Sequence, residues 1–302
     1  MKVKEPLESE YELLDNFKGK ILYTYLHLAG VPRSLTEKLL ENKITAIAYE
    51  TVVSKKELPL LKPMSQVAGV LAVQYGAEYL QKKYGGRGVT LGIIENAPIA
   101  NVVVVGGGVV GSTAARTAAG MGARVKILEI SDEKISELKE RFSIYDNLEV
   151  LKSEKDSLFS AVSEADLLIG AVLVAGARAP IVVTEEIVKN MKKGAVIVDV
   201  AIDQGGCVFG SRATSHDNPI YKNENGVIYC CIPNMPGQVA LQSTQALTNS
   251  TLPYLLKLAD KGIEALREDE GFAKGLNTYD GRITNELVAR DLGMMDKYQS
   301  FS

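Results

Sequence analysis

The sequence predicts an α/β protein: a doubly wound parallel sheet with a second, discontinuous α/β domain. Three observations carry this expectation. Between Asn101 and about Pro236, β-branched runs alternate with amphipathic stretches, as parallel strands do with crossover helices. The run Asn101-Val-Val-Val-Val leads straight into Gly106-x-Gly108-x-x-Gly111. On both sides of this region the composition changes to long helices with few charges, one over 63–84 and one from Gln245 to Asp260.

The elements follow in order. Val102 to Val105 is a strand apolar enough to be buried on both faces. After the glycines, Ser112-Thr-Ala-Ala-Arg-Thr-Ala-Ala-Gly-Met-Gly is helical in composition, and Ala123 to Leu128 is a second apolar strand ending at Glu129. Residues 132–142 place apolar side chains at 135, 138 and 142 on one helical face. A short strand at 148–151, a helix at 156–165 and a strand at 166–174 come next. Thr184 is placed to cap a helix with acids in its first turn. Residues 194–203 and 226–232 read as further strands. The expected division is 61–240 for the doubly wound domain, with 63–84 as its linking helix. Residues 1–60 and 241–302 together form the second domain.

The strand–glycine–helix–strand–acid order is what a dinucleotide site requires. Gly106 permits the tight turn, Gly108 lets the backbone approach a pyrophosphate, and Gly111 lets helix and strand pack closely. The helix start offers unpaired N–H groups and a positive dipole end to phosphate. Glu129, eighteen residues past Gly111, can accept from a ribose 2′-hydroxyl and repels a 2′-phosphate, which favours NAD over NADP. The first domain is therefore expected to be Rossmann-type and to bind NAD.

Bulk properties narrow the remaining classes. The 302 residues suffice for two cores, and 46% hydrophobic with 24% charged residues is ordinary for a globular chain. A net charge of −3 gives no reason to expect nucleic acid or an anionic membrane. The longest apolar run, Leu167 to Ala177, is too short to span a bilayer, and Met-Lys-Val-Lys-Glu-Pro lacks a signal-peptide core. Three cysteines, Cys207 and the adjacent Cys230 and Cys231, make neither a disulfide framework nor a zinc spacing, so a cytoplasmic setting is expected and no metal.

Outside the glycine loop, four residues invite a chemical reading. His27, one of two histidines, lies in Ile21-Leu-Tyr-Thr-Tyr-Leu-His-Leu-Ala, an apolar strand whose end is expected to face a cleft; an imidazole there can carry the proton that accompanies hydride transfer, or it can be a satisfied core histidine. The other, His216, reads as a loop residue. Asp203 ends the strand read at 194–203, where a carboxylate reaches the ligand crevice or merely forms a turn. Lys4 shares one side of a short strand with Lys2 and can meet a substrate carboxylate or only solvent. Glu50 is a further strand-end acid with no assigned role.

Together these residues resemble the alanine dehydrogenase family, relatives of the nucleotide-binding subunit of nicotinamide nucleotide transhydrogenase. The resemblance runs through Lys2-Val-Lys-Glu-Pro, Thr24-Tyr-Leu-His-Leu-Ala, Ala48-Tyr-Glu-Thr-Val, Pro63-Met-Ser-Gln-Val-Ala-Gly, Gly85-Gly-Arg-Gly and Gly106-Gly-Gly-Val-Val-Gly. It continues through residues 169–180, Asp199-Val-Ala-Ile-Asp-Gln-Gly-Gly, Asn234-Met-Pro-Gly and Ala246-Leu-Thr-Asn. It implies reversible, NAD-dependent deamination of L-alanine to pyruvate and ammonium, with domain closure over the substrate and a homohexameric assembly. His27 is implied as acid/base, Asp203 as the active-site aspartate and Lys4 as the substrate-binding lysine. The implied cofactor set is Ser65, Gly106, Gly108, Val109, Val110, Gly111, Glu129, Lys134, Ser153, Val172, Leu173, Val200, Ala201, Ile202, Asp203, Arg212, Asn234 and Met235.

The chain also departs from the family. The family carries β-α units ahead of Met1, with an arginine that clamps the substrate carboxylate, so the second domain is expected to be N-terminally truncated. Either the start lies at an internal methionine, or the short form is an impaired NAD-binding remnant or assembly subunit. Gln238-Val-Ala-Leu-Gln-Ser-Thr244 replaces a segment in which the family has proline and arginine. A transhydrogenase-type subunit is a third reading.

Overall fold

A computed structural model describes residues 1–173 and 178–301. The end of the strand read at 166–174 and part of the 169–180 stretch lie outside the described residues. Among the described residues the strands are β1 (Ile21–Thr24), β2 (Thr45–Ala48), β3 (Asn101–Val105), β4 (Arg124–Glu129), β5 (Leu148–Lys152) and β6 (Leu167–Gly170). They continue as β7 (Val196–Asp199), β8 (Ile220–Lys222), β9 (Ile228–Cys230), β10 (Leu276–Tyr279) and β11 (Arg282–Ile283). Two compact units result, one from Met1–Met64 with the chain beyond Ala240, the other from Ser65–Leu173 and Ala179–Val239.

The second unit is built on a seven-stranded sheet ordered β5-β4-β3-β6-β7-β9-β8. All its pairings are parallel except β8 with β9. The valines of β3 explain its central place. Val102 and Val104 enter the core on one face, Val103 and Val105 the core on the other. Burying each contributes about 1.5–3 kcal/mol. Successive connections run outward from β3 to β4 and β5, then return to β6 on its other side, so the strand order reverses between β3 and β6.

The helix Val109–Met121 packs its alanines into the first of these cores and ends at Gly122, whose φ of 104° suits the left-handed cap. Ser131 caps the helix Asp132–Arg141 by accepting from the Lys134 N–H, with acids in the first turn and bases in the last.

Several elements are shorter than their sequence suggests. The helix read at 63–84 is an α-helix over Lys62–Tyr79 and a separate turn at Lys82–Tyr84, closed by Gly85 with φ 82°. β7 stops at Asp199, and Val200–Gln204 forms a 3₁₀ turn, because the Asp199 carboxylate caps that turn through the Ala201 N–H. Thr184 precedes the helix Glu185–Lys189 without a side-chain capping bond. β8, with three residues, was not expected.

The first unit carries a four-stranded sheet ordered β1-β2-β10-β11, with β1 and β2 parallel and the rest antiparallel. One face is aliphatic, with Leu22, Leu26, Leu35 and Leu39. The other is aromatic, with Tyr23, Tyr25, Tyr49 and Phe272. β1 ends at Thr24, so His27 lies in a loop rather than on a strand. Residues 2–4 form no strand of their own. They bond to the β1 segment through Lys2 N–H to Tyr23 O (3.1 Å) and Tyr25 N–H to Val3 O (3.4 Å).

Candidate functional site

The parallel register brings the carboxyl ends of β3, β4, β6 and β7 side by side, with Val105 opposite Leu128 and Gly170, and Gly170 opposite Asp199. Most of the expected cofactor residues follow carboxyl ends of this sheet's strands: Gly106 to Gly111 after β3, Ser153 after β5, Val172 with Leu173 after β6, Val200 to Asp203 after β7, and Asn234 after β9. The glycines differ in what they do. Gly106 has a φ of 100°, and a Cβ there would meet Ala171 O at 2.6 Å. At Gly111 a Cβ would lie 1.9 Å from Gly106 O, so only glycine lets the helix start so near the strand. A Cβ on Gly108 would meet nothing within 4 Å, leaving open space beside the first turn of the helix. Val109 and Leu173 are exposed at this edge. A free helix start with an unobstructed glycine beside it fits a pyrophosphate.

Glu129 closes this edge. Its Oε2 accepts from the Gly107 N–H (2.8 Å), and its Oε1 from the Ile130 (2.7 Å) and Ser131 (3.0 Å) N–H groups. A carboxylate has roughly four acceptor positions, so three bonds leave room for one more donor such as a ribose hydroxyl. The Ser153 N–H is held by Glu129 O at 2.8 Å, which brings the ends of β4 and β5 together. Ser65 lies one helical turn before Gly69, where a Cβ would be 2.5 Å from Val110 O; the helix carrying Ser65 therefore crosses the start of the glycine-loop helix.

The acid that ends β7 is Asp199, not Asp203. Asp199 is fully buried and accepts from the N–H groups of Ala201 (3.1 Å), Cys207 (2.9 Å) and Val208 (3.1 Å) and from Ser211 Oγ (2.6 Å). Burial pushes its carboxyl above the usual range, while these donors oppose the shift. Asp203 sits exposed in the turn so fastened. Ala201 and Ile202 are buried in the core beneath that turn, as is Met235 in the opposite one. Their backbones, rather than their side chains, are the parts available to a ligand.

Other expected contacts are partly committed elsewhere. Lys134 pairs with Glu137 at 2.7 Å. The Arg212 guanidinium stacks on the Tyr221 ring at 4.1 Å, and the Arg212 backbone N–H donates to Tyr221 Oη at 2.9 Å. Asn234 adopts a φ of 54° ahead of the turn Met235–Val239. The three thiols are buried; burial raises all of them, Cys231 to about 11.

In the four-stranded unit, His27 adopts a φ of 48°, and its ring stacks on Tyr25 with centroids 5.6 Å apart and planes 7° from parallel. Tyr25 is anchored by its hydroxyl, which donates to Leu60 O at 2.6 Å. The Glu50 carboxylate is buried and accepts from the His27 N–H at 2.7 Å. The Lys4 Nζ lies 3.4 Å from Glu5 Oε2, and Lys4 O accepts from Thr24 Oγ1 at 3.0 Å, so Lys4 is tied to the same end of β1 that leads to His27. Sequence reasoning missed Asp199, whose signal was a strand run broken by a second acid, and left Glu50 without a role.

Known proteins share both the sequence and the fold of this chain. Residues 1–68 match the N-terminal domain model of alanine dehydrogenase/PNT, and residues 72–286 the C-terminal domain model. The chain is 51% identical to an alanine dehydrogenase of Methanococcus maripaludis over 96% of its own length and 77% of the relative's. It is 49% identical to that of Bacillus subtilis over 97% and 76%. A solved L-alanine dehydrogenase, 50% identical, superposes with a TM-score of 0.87, covering 97% of this chain and 80% of that one. A transhydrogenase from Sinorhizobium meliloti, 21% identical, shares the fold with a TM-score of 0.76, over 94% of this chain and 80% of that one. The chain belongs to the alanine dehydrogenase/PNT family.

Proposed function

We propose that this chain is an NAD-dependent L-alanine dehydrogenase, converting L-alanine, NAD and water reversibly to pyruvate, ammonium, NADH and a proton. The observation that carries the reading is identity near 50% to alanine dehydrogenases over almost the whole chain. The open space at Gly108 and the acceptor at Glu129 support the cofactor half. NAD, when bound, accepts the hydride from the alanine α-carbon.

The chain's own groups supply the rest. Gly106, Gly108, Gly111, Val109 and Val110 hold the pyrophosphate and Glu129 the ribose. Ser65, Lys134, Ser153, Val172, Leu173, Arg212, Asn234, Met235 and the turn Val200–Asp203 complete the cofactor site. Lys4 exchanges its Glu5 partner for the substrate carboxylate or carbonyl. His27 takes a proton from the water that adds to the imino acid and returns it to the departing ammonia. Asp203 supports the developing cation. The reading extends to a homohexamer in the cytoplasm, its assembly measurable by light scattering.

The test mixes the protein with pyruvate, ammonium and NADH and follows loss of the reduced cofactor's absorbance. Turnover is expected. No turnover with NADH binding retained by fluorescence rejects the enzyme and leaves an NAD-binding chain.

A further inference from the structure

We infer that Glu50 is the positioning residue of His27, a buried carboxylate that fixes the backbone turn and one edge of the imidazole. The inference rests on the reading of His27 as the acid/base group. Its first support is backbone geometry. His27 occupies the left-handed region, which costs a non-glycine residue energy and persists only where neighbours enforce it.

The enforcement is visible. Glu50 Oε1 accepts from the His27 N–H at 2.7 Å, and both of its oxygens lie 3.3 Å from the Leu26 nitrogen. The Gly30 N–H closes the turn on His27 O at 2.7 Å. Glu50 is only 7% exposed, so these amides replace the water it has lost.

The second support concerns the ring. His27 Nδ1 lies 4.0 Å from Glu50 Oε1, too long for a hydrogen bond but close enough for charge. Tyr25 stacks on the imidazole face, and its hydroxyl is tied to Leu60 O. With Nδ1 turned to the carboxylate, Nε2 is left to exchange the proton. The carboxylate thus orients the base through the backbone turn it holds and through its charge beside Nδ1, not through a hydrogen bond to the ring. Glu50 acts through the base, by its contacts with Leu26 and His27.

The test combines Glu50→Gln and Glu50→Asp with His27→Gly in a double-mutant cycle on the full chain, assayed in reductive amination. Glu50→Gln is expected to lower kcat about tenfold to a hundredfold, as displacement of a base by about 1 Å does, with the KM for NADH unchanged. Glu50→Asp, which keeps the charge, should recover part of the loss. In the His27→Gly background, with imidazole supplied in solution, Glu50→Gln should cost nothing further. Equal losses in both backgrounds, or a kcat within about twofold of the parent, overturn the inference. If Glu50→Gln does not fold, Glu50→Asp carries the test: a several-fold fall in kcat is expected, and full retention overturns it. A His27→Gly protein at full speed without imidazole overturns the acid/base reading itself, an outcome distinct from failure at Glu50.

Discussion

The two units hold their functional residues by opposite means. At the carboxyl edge of the seven-stranded sheet, position comes from absent atoms: Gly106 and Gly111 place backbone where any side chain would collide. In the four-stranded unit it comes from an added group, the Glu50 carboxylate, which reaches over from the end of β2 to pin the His27 turn. The first device is local in sequence and written in glycine spacing. The second joins residues 23 apart and leaves no spacing signal. The glycine edge is therefore intolerant of additions, and the His27 turn of deletions.

That contrast can be broken experimentally. The largest expected effect is from Gly111→Val, whose Cβ would sit 1.9 Å from Gly106 O. We expect about 3 kcal/mol or more of lost stability in urea unfolding and no NADH fluorescence enhancement. Gly108→Ala should leave unfolding unchanged, because its Cβ meets nothing, yet weaken NADH binding about tenfold; unchanged binding would remove Gly108 from the cofactor site.

Ser211→Ala comes next. It removes a 2.6 Å donor to the buried Asp199 carboxylate, and about 1.5–3 kcal/mol of stability should follow. In the other unit, Tyr25→Phe deletes the hydroxyl bond to Leu60 O and should cost about 1 kcal/mol, with a fall in kcat as the His27 ring loses its fixed support.

The smallest effect is a null one. Burial keeps Cys207, Cys230 and Cys231 protonated by raising their thiols, so iodoacetamide at pH 8 should label none in the native protein. Labelling of Cys231 should begin only as pH approaches about 11, and rapid labelling at pH 8 would show that this core opens.

The same contrast explains what could be read in advance. The glycine loop, Glu129 and the central strands were legible because a buried parallel sheet is written as β-branched runs between turns. β8 was not, since three residues at an antiparallel edge have no period to detect. The strand at 194–203 was read too long because Val200, Ala201 and Ile202 are apolar; hydropathy cannot show that Asp199 folds them into a turn by accepting from Ala201. His27 was placed on a strand for a similar reason: Tyr25, Leu26 and Leu28 continue the hydrophobic run of β1 into a loop buried against both faces. Glu50 was seen as an acid and not as a clamp, because its partners are backbone amides that carry no residue identity.

The triple use of Glu129 has a consequence for anyone redesigning cofactor choice. With Glu129 proposed as the ribose acceptor, admitting a 2′-phosphate calls for replacing this acid with a small or basic residue. That exchange also strips the acceptor from Gly107, Ile130 and Ser131, three amides at the mouth of the glycine loop. On that reading nucleotide preference and loop integrity share one side chain, and a switch to NADP needs a second substitution that restores the lost acceptor.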